Sequence, residues 1–326
     1  MKSSNVTFVS KCKRFFDFAG ILYVQTQHNV DAVGKEPTTA LISKIHPVNQ
    51  HYVPEFYLKN FSQNGKQIFV YDKVIKKSFS SGISSVASQQ SFYNNSKNKS
   101  IEDEIADMES KTGSVLKKLI LSLNNNEFSK IDQIQKNILI EFIWMQMNRT
   151  LESRIHFASI KPHLYNKLTN VPFEIDVNEL LSQIETTDNH IEFLRSSSKN
   201  SLALETFGSR NFIIVKNQTQ IDFLTSDEPV IRYLHSEIES NIYEVFLPIT
   251  PKLGLWVIAK NIYKELDDAD GIIYPFENEE NILFYNYLHV YRSTRQIFSF
   301  SGDCGYVHQI FNQNPNFGNF NKQRLG

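Results

Sequence analysis

A histidine in a short, conformationally restricted segment has a side chain that can act as a base or as a metal ligand. His51 lies in the stretch NQHYVPEFYLKNFS, residues 49–62, and Pro54 follows three positions later. Because proline restricts the residue before it, the backbone after His51 has few conformations open to it. Two interpretations stay open. His51 is a general base or metal ligand on a rigid segment, or it is a polar residue before a helix that Pro54 begins.

Two glutamates seven positions apart form the second feature. Glu102 and Glu109 lie in a run predicted to be helical, and seven residues make about two turns, so both carboxylates occupy one helix face. Two carboxylates aimed into a pocket can bind a divalent cation or divide acid and base roles between them. A solvated polar stripe is the other interpretation.

Gln146 and Arg149 come at the end of the most apolar helix predicted in the chain. The run ILIEFIWMQM, residues 138–147, is apolar on nearly every side, and its buried stripe continues to Arg149. A guanidinium on such a stripe is costly unless it is paired. We therefore expect Arg149 to face a carboxylate, either Asp227 or Glu109, or a pocket that holds an anion. Gln146 lies one turn earlier on a neighbouring position.

A serine and an aspartate end a predicted strand in the stretch LTSDEPVI, residues 224–231. Ser226 and Asp227 precede Pro229, which restricts the turn. Asp227 is either a functional carboxylate at the end of a strand or one member of a turn that satisfies local backbone amides.

The elements that must position these residues follow from hydrophobic periodicity and turn signals. Helices come before most of the strands rather than alternating with them, so the fold class is predicted as α+β. It has a helical block over about 101–200, then an antiparallel or mixed sheet over about 210–260, and a closing helix. The predicted elements are a hairpin at 67–73 and 76–80, a helix at 101–123, a helix capped by Ser129 with Asp132 three residues later, a helix at 176–199, five strands between 211 and 259, and a helix at 278–299.

Three segments are predicted along the chain. Residues 1–44 form an N-terminal extension, residues 45–311 form a single α+β domain, and residues 312–326 form a disordered tail. The apolar run at 15–24 is too short to span a bilayer, so no membrane association is expected. Only two cysteines are present, Cys12 and Cys304, and a cytoplasmic location is predicted.

Composition and missing motifs exclude several classes of function. The 326 residues carry 34 Lys and Arg against 35 Asp and Glu, a formal net charge of −1 that does not favour broad polyanion binding. Two cysteines are too few for a disulfide framework or a thiolate metal site. The chain has neither a phosphate-binding Gly-rich loop with its lysine nor a Gly-x-Ser-x-Gly turn, which disfavours ATP hydrolysis and serine esterase chemistry.

Several of these motifs, taken in order, resemble a known family. HYVPEFYLKNFS, IFVYDK, SVASQQSFYN, IEDEIADMES, EFIWMQMNRT, FLTSDEPVI and VFLPITP look like the bacterial domain-of-unknown-function family numbered 4238, over about residues 50–300. The resemblance implies that ten positions recur: His51, Pro54, Glu102, Glu109, Gln146, Arg149, Thr150, Ser226, Asp227 and Pro229. Leu151 and Glu228 depart from the family pattern, which more often has proline and asparagine there.

These recurrent residues come from four distant segments, so we expect His51, Gln146, Arg149 and Asp227 to share one pocket, within about 10 Å. The leading hypothesis is a hydrolase of a phosphodiester or nucleotide, such as a metal-dependent nuclease in bacterial defence or a toxin. Its carboxylates, Glu102, Glu109 and Asp227, would hold Mg²⁺ or Mn²⁺. His51 would activate water, and Arg149, oriented by Gln146, would hold a phosphate oxygen. The partner would then be a nucleic acid or a nucleotide. The alternative is a non-catalytic binding module that recognises a small anion or a protein partner.

Overall fold

The computed structural model of the chain describes residues 49–93, 101–157, 186–197, 201–234, 243–260 and 262–313. The predicted N-terminal extension, the first ten residues of the predicted helix at 176–199, and residues 314–326 of the predicted tail lie outside these ranges. Among the residues described, no helix has the length and apolar character needed to cross a membrane.

The segment that carries His51 begins the described fold. Strand β1 (Asn49–His51) pairs antiparallel with β4 (Ser88–Gln90), so that His51 lies opposite Ser88. Pro54, at φ −62°, is the N-cap of the one-turn helix α1 (Glu55–Leu58). Proline is tolerated there because its missing N–H has no partner to lose. The predicted hairpin is confirmed, as strands β2 (Gln67–Asp72) and β3 (Lys77–Gly82) pair antiparallel.

The helical block is α2 (Glu102–Asn124), α3 (Gln133–Asn148), α4 (Thr186–Ser197) and α5 (Ser201–Phe207). As its apolar sequence indicates, α3 is buried along most of its length. This burial carries Gln146 and Arg149 into the interior.

The N-cap of α3 lies three residues later than predicted. Asp132, not Ser129, is the cap: its side chain accepts from the Gln135 N–H at 2.8 Å, and the Gln135 side chain accepts from the Asp132 N–H at 3.0 Å. This reciprocal pair satisfies two helix-end donors. The glutamine side chain at Gln135 is long enough to reach back to the cap residue, which explains why the helix begins after Asp132 rather than after Ser129.

Two larger sheets follow where a single one was predicted. The five-stranded sheet has the order β10-β5-β9-β8-β7, and it is mixed because β10 runs parallel to β5. The four-stranded sheet has the order β3-β2-β11-β6. The strands not yet introduced are β5 (Asn211–Asn217), β6 (Thr225–Ser226), β7 (Ile231–Leu234), β8 (Tyr243–Thr250), β9 (Leu253–Ile258), β10 (Ile273–Phe276) and β11 (Gln296–Ser299).

The predicted closing helix at 278–299 is too long. Helix α6 (Glu279–Arg292) ends seven residues earlier, and Gln296–Ser299 forms β11 between β2 and β6. A further helix that the sequence analysis did not predict, α7 (Gly305–Gln313), follows it and buries Val307, Ile310 and Phe311. The α+β class itself is confirmed, with the helical block before most of the strands.

Candidate functional site

Arg149 is the centre of a buried polar network at the end of α3. Its side chain is 0% exposed, and its Nη1 donates to Glu109 Oε1 on α2 at 2.7 Å. Its Nε donates to Gln146 Oε1 at 2.8 Å. A carboxylate partner was predicted for Arg149, and the packing of α2 against α3 makes that partner Glu109. This pair removes most of the cost of burying the charge.

The same network ends on the backbone of residues 51–54, the HYVP segment. Gln146 Nε2 donates to the Tyr52 carbonyl at 2.9 Å, and the Tyr93 hydroxyl donates to the His51 carbonyl at 3.0 Å. Tyr93 also lies beside Arg149. Burial raises the pKa of Tyr93 to about 12, and the positive charge of Arg149 opposes that rise. Side chains on α3 and after β4 therefore hold two consecutive peptide groups at His51.

His51 is the most accessible polar side chain on this segment. Its Nε2 lies 3.3 Å from Glu55 Oε1, one helical turn later, and its side chain is 16% exposed. Burial lowers the pKa of His51 below 6.5, while the carboxylates of Glu55 and Glu109 act in the opposite direction. The imidazole is thus neutral at neutral pH and has a carboxylate beside it, the state that a general base requires.

Asp227 is occupied by backbone amides. Its Oδ1 accepts from the Thr294 N–H at 2.9 Å, and its Oδ2 accepts from the N–H groups of Arg295 and Gln296 at 2.6 and 2.9 Å. The carboxylate is fully buried, so these three donors compensate its desolvation. Its electrostatic link to the HYVP segment is through Tyr52, whose pKa is raised first by burial and then by Asp227 and Glu228.

Ser226 belongs to the same turn. Its hydroxyl donates to the Glu228 carbonyl at 2.9 Å and accepts from the Glu228 N–H at 3.2 Å. His289 Nδ1 lies 3.3 Å from the same oxygen, and burial lowers the pKa of His289 to about 3. All three residues are buried, Ser226 and His289 with no exposed surface. These contacts match the second interpretation of the sequence, a local turn in which Ser226 hydrogen-bonds with the backbone of Glu228.

The structure brings together only part of the predicted site. His51, Gln146, Arg149 and Glu109 meet in one network, whereas the carboxylate of Asp227 serves the turn between α6 and β11. Glu102 lies two turns before Glu109 on α2 and is half-buried.

The predicted Mg²⁺ or Mn²⁺ site has no matching set of ligands in the described ranges. Within them, no three His, Cys, Asp or Glu side chains are placed to hold a metal ion. Glu109 is paired with Arg149, and Asp227 is bonded to three amides. Two of the three carboxylates predicted to hold the metal, Glu109 and Asp227, are therefore already bonded within the protein.

Two aromatic residues of the site were not predicted as functional, Tyr52 and Tyr93. A third contribution comes from Arg154, whose guanidinium lies 3.9 Å from the centre of the Phe92 ring and donates to the Phe92 carbonyl. Burial lowers the pKa of Arg154 to about 10. The signal was present in the sequence, because Phe92 and Tyr93 belong to the SQQSFYN motif that supported the family resemblance.

A cleft of about 680 Å³ opens between α1 and α2, next to this network. Glu109 lines it, together with Phe56 and Lys59 from the α1 side and Lys117 from the far end of α2. The Glu109 side chain is 26% exposed, so one carboxylate connects the buried arginine with the solvent-accessible cleft. The volume falls in the range of small-molecule and peptide sites.

Comparison with known proteins gives a single result. The family model described as "Protein of unknown function (DUF4238)" matches residues 49–303. No curated protein and no solved structure is similar enough to the chain to count as a match. The matched range contains every residue of the network described above.

Proposed function

The chain belongs to the DUF4238 family of proteins of unknown function, and from its site we propose that it is a hydrolase of phosphodiester or nucleotide substrates, with His51 as the general base. The proposal rests on one observation: the buried network ends in hydrogen bonds to the backbone carbonyls of His51 and Tyr52. Gln146 and Tyr93 both donate to carbonyls of the segment that holds His51.

A buried polar network of this kind adds little to the stability of the fold. Burying an Arg–Glu pair and a glutamine gains little stability over well-packed apolar residues of the same volume. A network of this kind is typical of a shell that fixes the position of a reactive group. Here the group so positioned is His51, which is partly exposed and next to Glu55.

The proposed chemistry uses His51 as a proton acceptor. The neutral imidazole, whose Nε2–H faces Glu55, takes a proton on Nδ1 from water as the water oxygen bonds to phosphorus. The ester oxygen leaves as its bond to phosphorus breaks, and it takes up a proton from solvent. Glu55, at 3.3 Å, stabilises the imidazolium that forms. Arg149 acts as a positioning residue rather than a phosphate ligand, because its Nη1 and Nε are bonded within the protein and its remaining nitrogen, Nη2, is buried. Lys59 and Lys117 line the cleft next to this network and would supply positive charge for a phosphate bound there, whereas His51 does not itself line the cleft.

The test is hydrolysis of bis(p-nitrophenyl) phosphate and of a labelled oligonucleotide by the purified chain, with and without EDTA. We expect turnover that His51→Ala lowers by at least about 100-fold. The exposed His308→Ala is the matched control and should keep the rate. The pH profile should rise through a pKa below 6.5, the direction found for His51. Activity that survives in His51→Ala, or no activity on either substrate, would contradict the proposal.

A second candidate is a non-catalytic binding module that recognises a small anion or a protein partner. The observation that favours it is the ion pair itself, since Glu109 neutralises Arg149 while also lining the cleft. Titration calorimetry with pyrophosphate and with a nucleotide separates the two candidates. Saturable binding that Lys117→Ala weakens, without turnover, would support the module.

We also propose that the reaction takes place in the cytoplasm. The support is cysteine usage: the chain has two cysteines, and Cys304 is a buried free thiol. Reducing compartments favour such thiols.

A further inference from the structure

One carboxylate, that of Glu55, is shared between His51 and a lysine of the cleft. Its Oε1 lies 3.3 Å from His51 Nε2, and its Oε2 lies 3.5 Å from Lys59 Nζ. Lys59 follows Glu55 by one helical turn, and His51 precedes it by four residues. Within the described ranges, these two residues are the ion-pair partners of Glu55. The lysine and the imidazole therefore compete for the charge of a single carboxylate.

The lysine is the side chain of the three that a ligand in the cleft can reach. Lys59 is 51% exposed and lines the cleft, and Glu55 is 40% exposed. His51 is largely buried and does not line it. Ion pairs between exposed side chains are weak, whereas an anion with more than one negative charge attracts a lysine more strongly than a single carboxylate does. A phosphate group in the cleft can therefore take Lys59 away from Glu55.

We propose, on the basis of the hydrolase function above, that the substrate carries a second phosphate beside the ester that is attacked and that Lys59 binds this second phosphate. Binding there leaves the whole Glu55 carboxylate to His51. The phosphate at Lys59 is not the one under attack, because His51 lies outside the cleft and Glu55 stands between the two residues. An oligonucleotide has this chemistry, since its phosphates follow one another along the strand. Lys59 is thus a positioning residue that acts on the base through Glu55.

The charges around His51 give the direction of the effect. Burial lowers the pKa of His51, Glu55 and Glu109 raise it, and Arg149 lowers it. Glu109 and Arg149 are bonded to each other, and Tyr93 bonds to the His51 backbone, so Glu55 is the neighbouring charge that a ligand can alter. When Lys59 turns to a phosphate, more negative charge stays beside the imidazole. The pKa of His51 then rises, and the imidazole becomes a stronger base while substrate is bound.

An NMR titration of the His51 ring in the full chain tests the shared carboxylate and needs no turnover. We expect Lys59→Met to raise the pKa of His51, and inorganic pyrophosphate to raise it in the wild type but not in Lys59→Met. In Glu55→Gln both shifts should be much smaller, because a neutral amide has no charge to transfer. Lys66→Met is the matched control, since Lys66 is exposed and does not line the cleft. It should titrate as the wild type does.

Hydrolysis of two dinucleotides that differ by one phosphate tests the substrate class. The 5′-phosphorylated pTpT carries a phosphate beside its diester, and TpT does not. We expect kcat/KM to be at least about tenfold higher for pTpT, a preference that Lys59→Met should abolish and Lys66→Met should keep.

The outcomes separate this inference from the proposed function. A wild-type chain that hydrolyses pTpT and TpT equally well would overturn the inference and leave the hydrolase function standing. If neither dinucleotide is hydrolysed, both the hydrolase function and the second-phosphate site are wrong. A His51 pKa that neither Lys59→Met nor pyrophosphate changes would overturn the shared carboxylate, whether or not any substrate is hydrolysed.

Discussion

Arg149 is the residue of the site whose burial depends most on its hydrogen-bond partners. Its guanidinium is completely buried and bonded to Glu109 and Gln146. The position of Arg149 on an apolar stripe already requires a partner, since an unpaired buried charge costs several kcal/mol. What that position could not decide was whether the partner is structural or a bound ligand.

Arg149→Ala is expected to lower the free energy of unfolding by about 3–5 kcal/mol, because it leaves the Glu109 carboxylate and the Gln146 amide without their donor. Urea denaturation followed by circular dichroism measures it. Arg195→Ala is the control: Arg195 pairs with Glu192, whose side chain is 56% exposed, and more distantly with Glu104, whose side chain is 37% exposed, so the loss there should be within about 1 kcal/mol. A loss of under about 1 kcal/mol for Arg149→Ala would show that the pair contributes little.

Tyr93→Phe tests whether the network positions His51. The change removes one hydroxyl, which donates to the His51 carbonyl and also hydrogen-bonds with Arg149, so the stability loss should be about 1–2 kcal/mol. The rate of hydrolysis should fall by a larger factor than this loss of unfolding free energy alone would cause. Tyr57→Phe is a matched control, because the Tyr57 hydroxyl donates to the Pro248 carbonyl at 2.7 Å in the core. It should cost similar stability and leave the rate unchanged. Equal rates in the two variants would refute the positioning role.

At the scale of elements, the turn between α6 and β11 depends on one side chain. Asp227 accepts three consecutive backbone N–H groups, from Thr294 to Gln296. These bonds stop α6 and start a strand that pairs with both β2 and β6. Residues Gln296–Ser299, whose local sequence is compatible with a longer helix, therefore form an inner strand of the four-stranded sheet.

Asp227→Ala should therefore destabilise the fold by about 2–4 kcal/mol, since it strands buried amide donors. Asp227→Asn keeps one acceptor oxygen and should cost less. Amide hydrogen exchange at residues 294–296 is the direct readout, with protection lost in the alanine variant. If protection there is unchanged, the carboxylate is not what terminates the helix.

At the scale of the whole molecule, buried histidines link stability to pH. Burial lowers the pKa of His190 to about 4 and of His289 to about 3. In the unfolded chain both return to about 6.5, so the unfolded state binds protons first as the pH falls. The stability that these neutral imidazoles allow is complete above about pH 6.5 and is lost as the pH falls toward their folded pKa values.

We therefore expect the unfolding free energy to fall between about pH 6.5 and pH 4.5, by about 1.4 kcal/mol per pH unit for each histidine. Urea titrations at several pH values measure the slope. His190→Gln should remove the contribution of that histidine and lower the slope by about 1.4 kcal/mol per pH unit. A flat profile in this range would contradict the neutral buried state.

By itself, the sequence determined the elements whose signals are local. The apolar periodicity of α3 and the strand-forming residues of β2 depend on neighbours a few positions away, and both elements were predicted. The need of Arg149 for a partner was also local, because it follows from the stripe on which the residue lies. The family resemblance identified the segments that meet at the network.

Tertiary structure decided everything that depends on contacts between distant segments. Packing of α2 on α3 chose Glu109 rather than Asp227 for Arg149, because only Glu109 came within ion-pair distance. Capture of three amides by Asp227 made Gln296–Ser299 a strand, although the local pattern extends the helix through it. The choice was made by burial, where an unsatisfied charge or amide costs more than any local preference supplies.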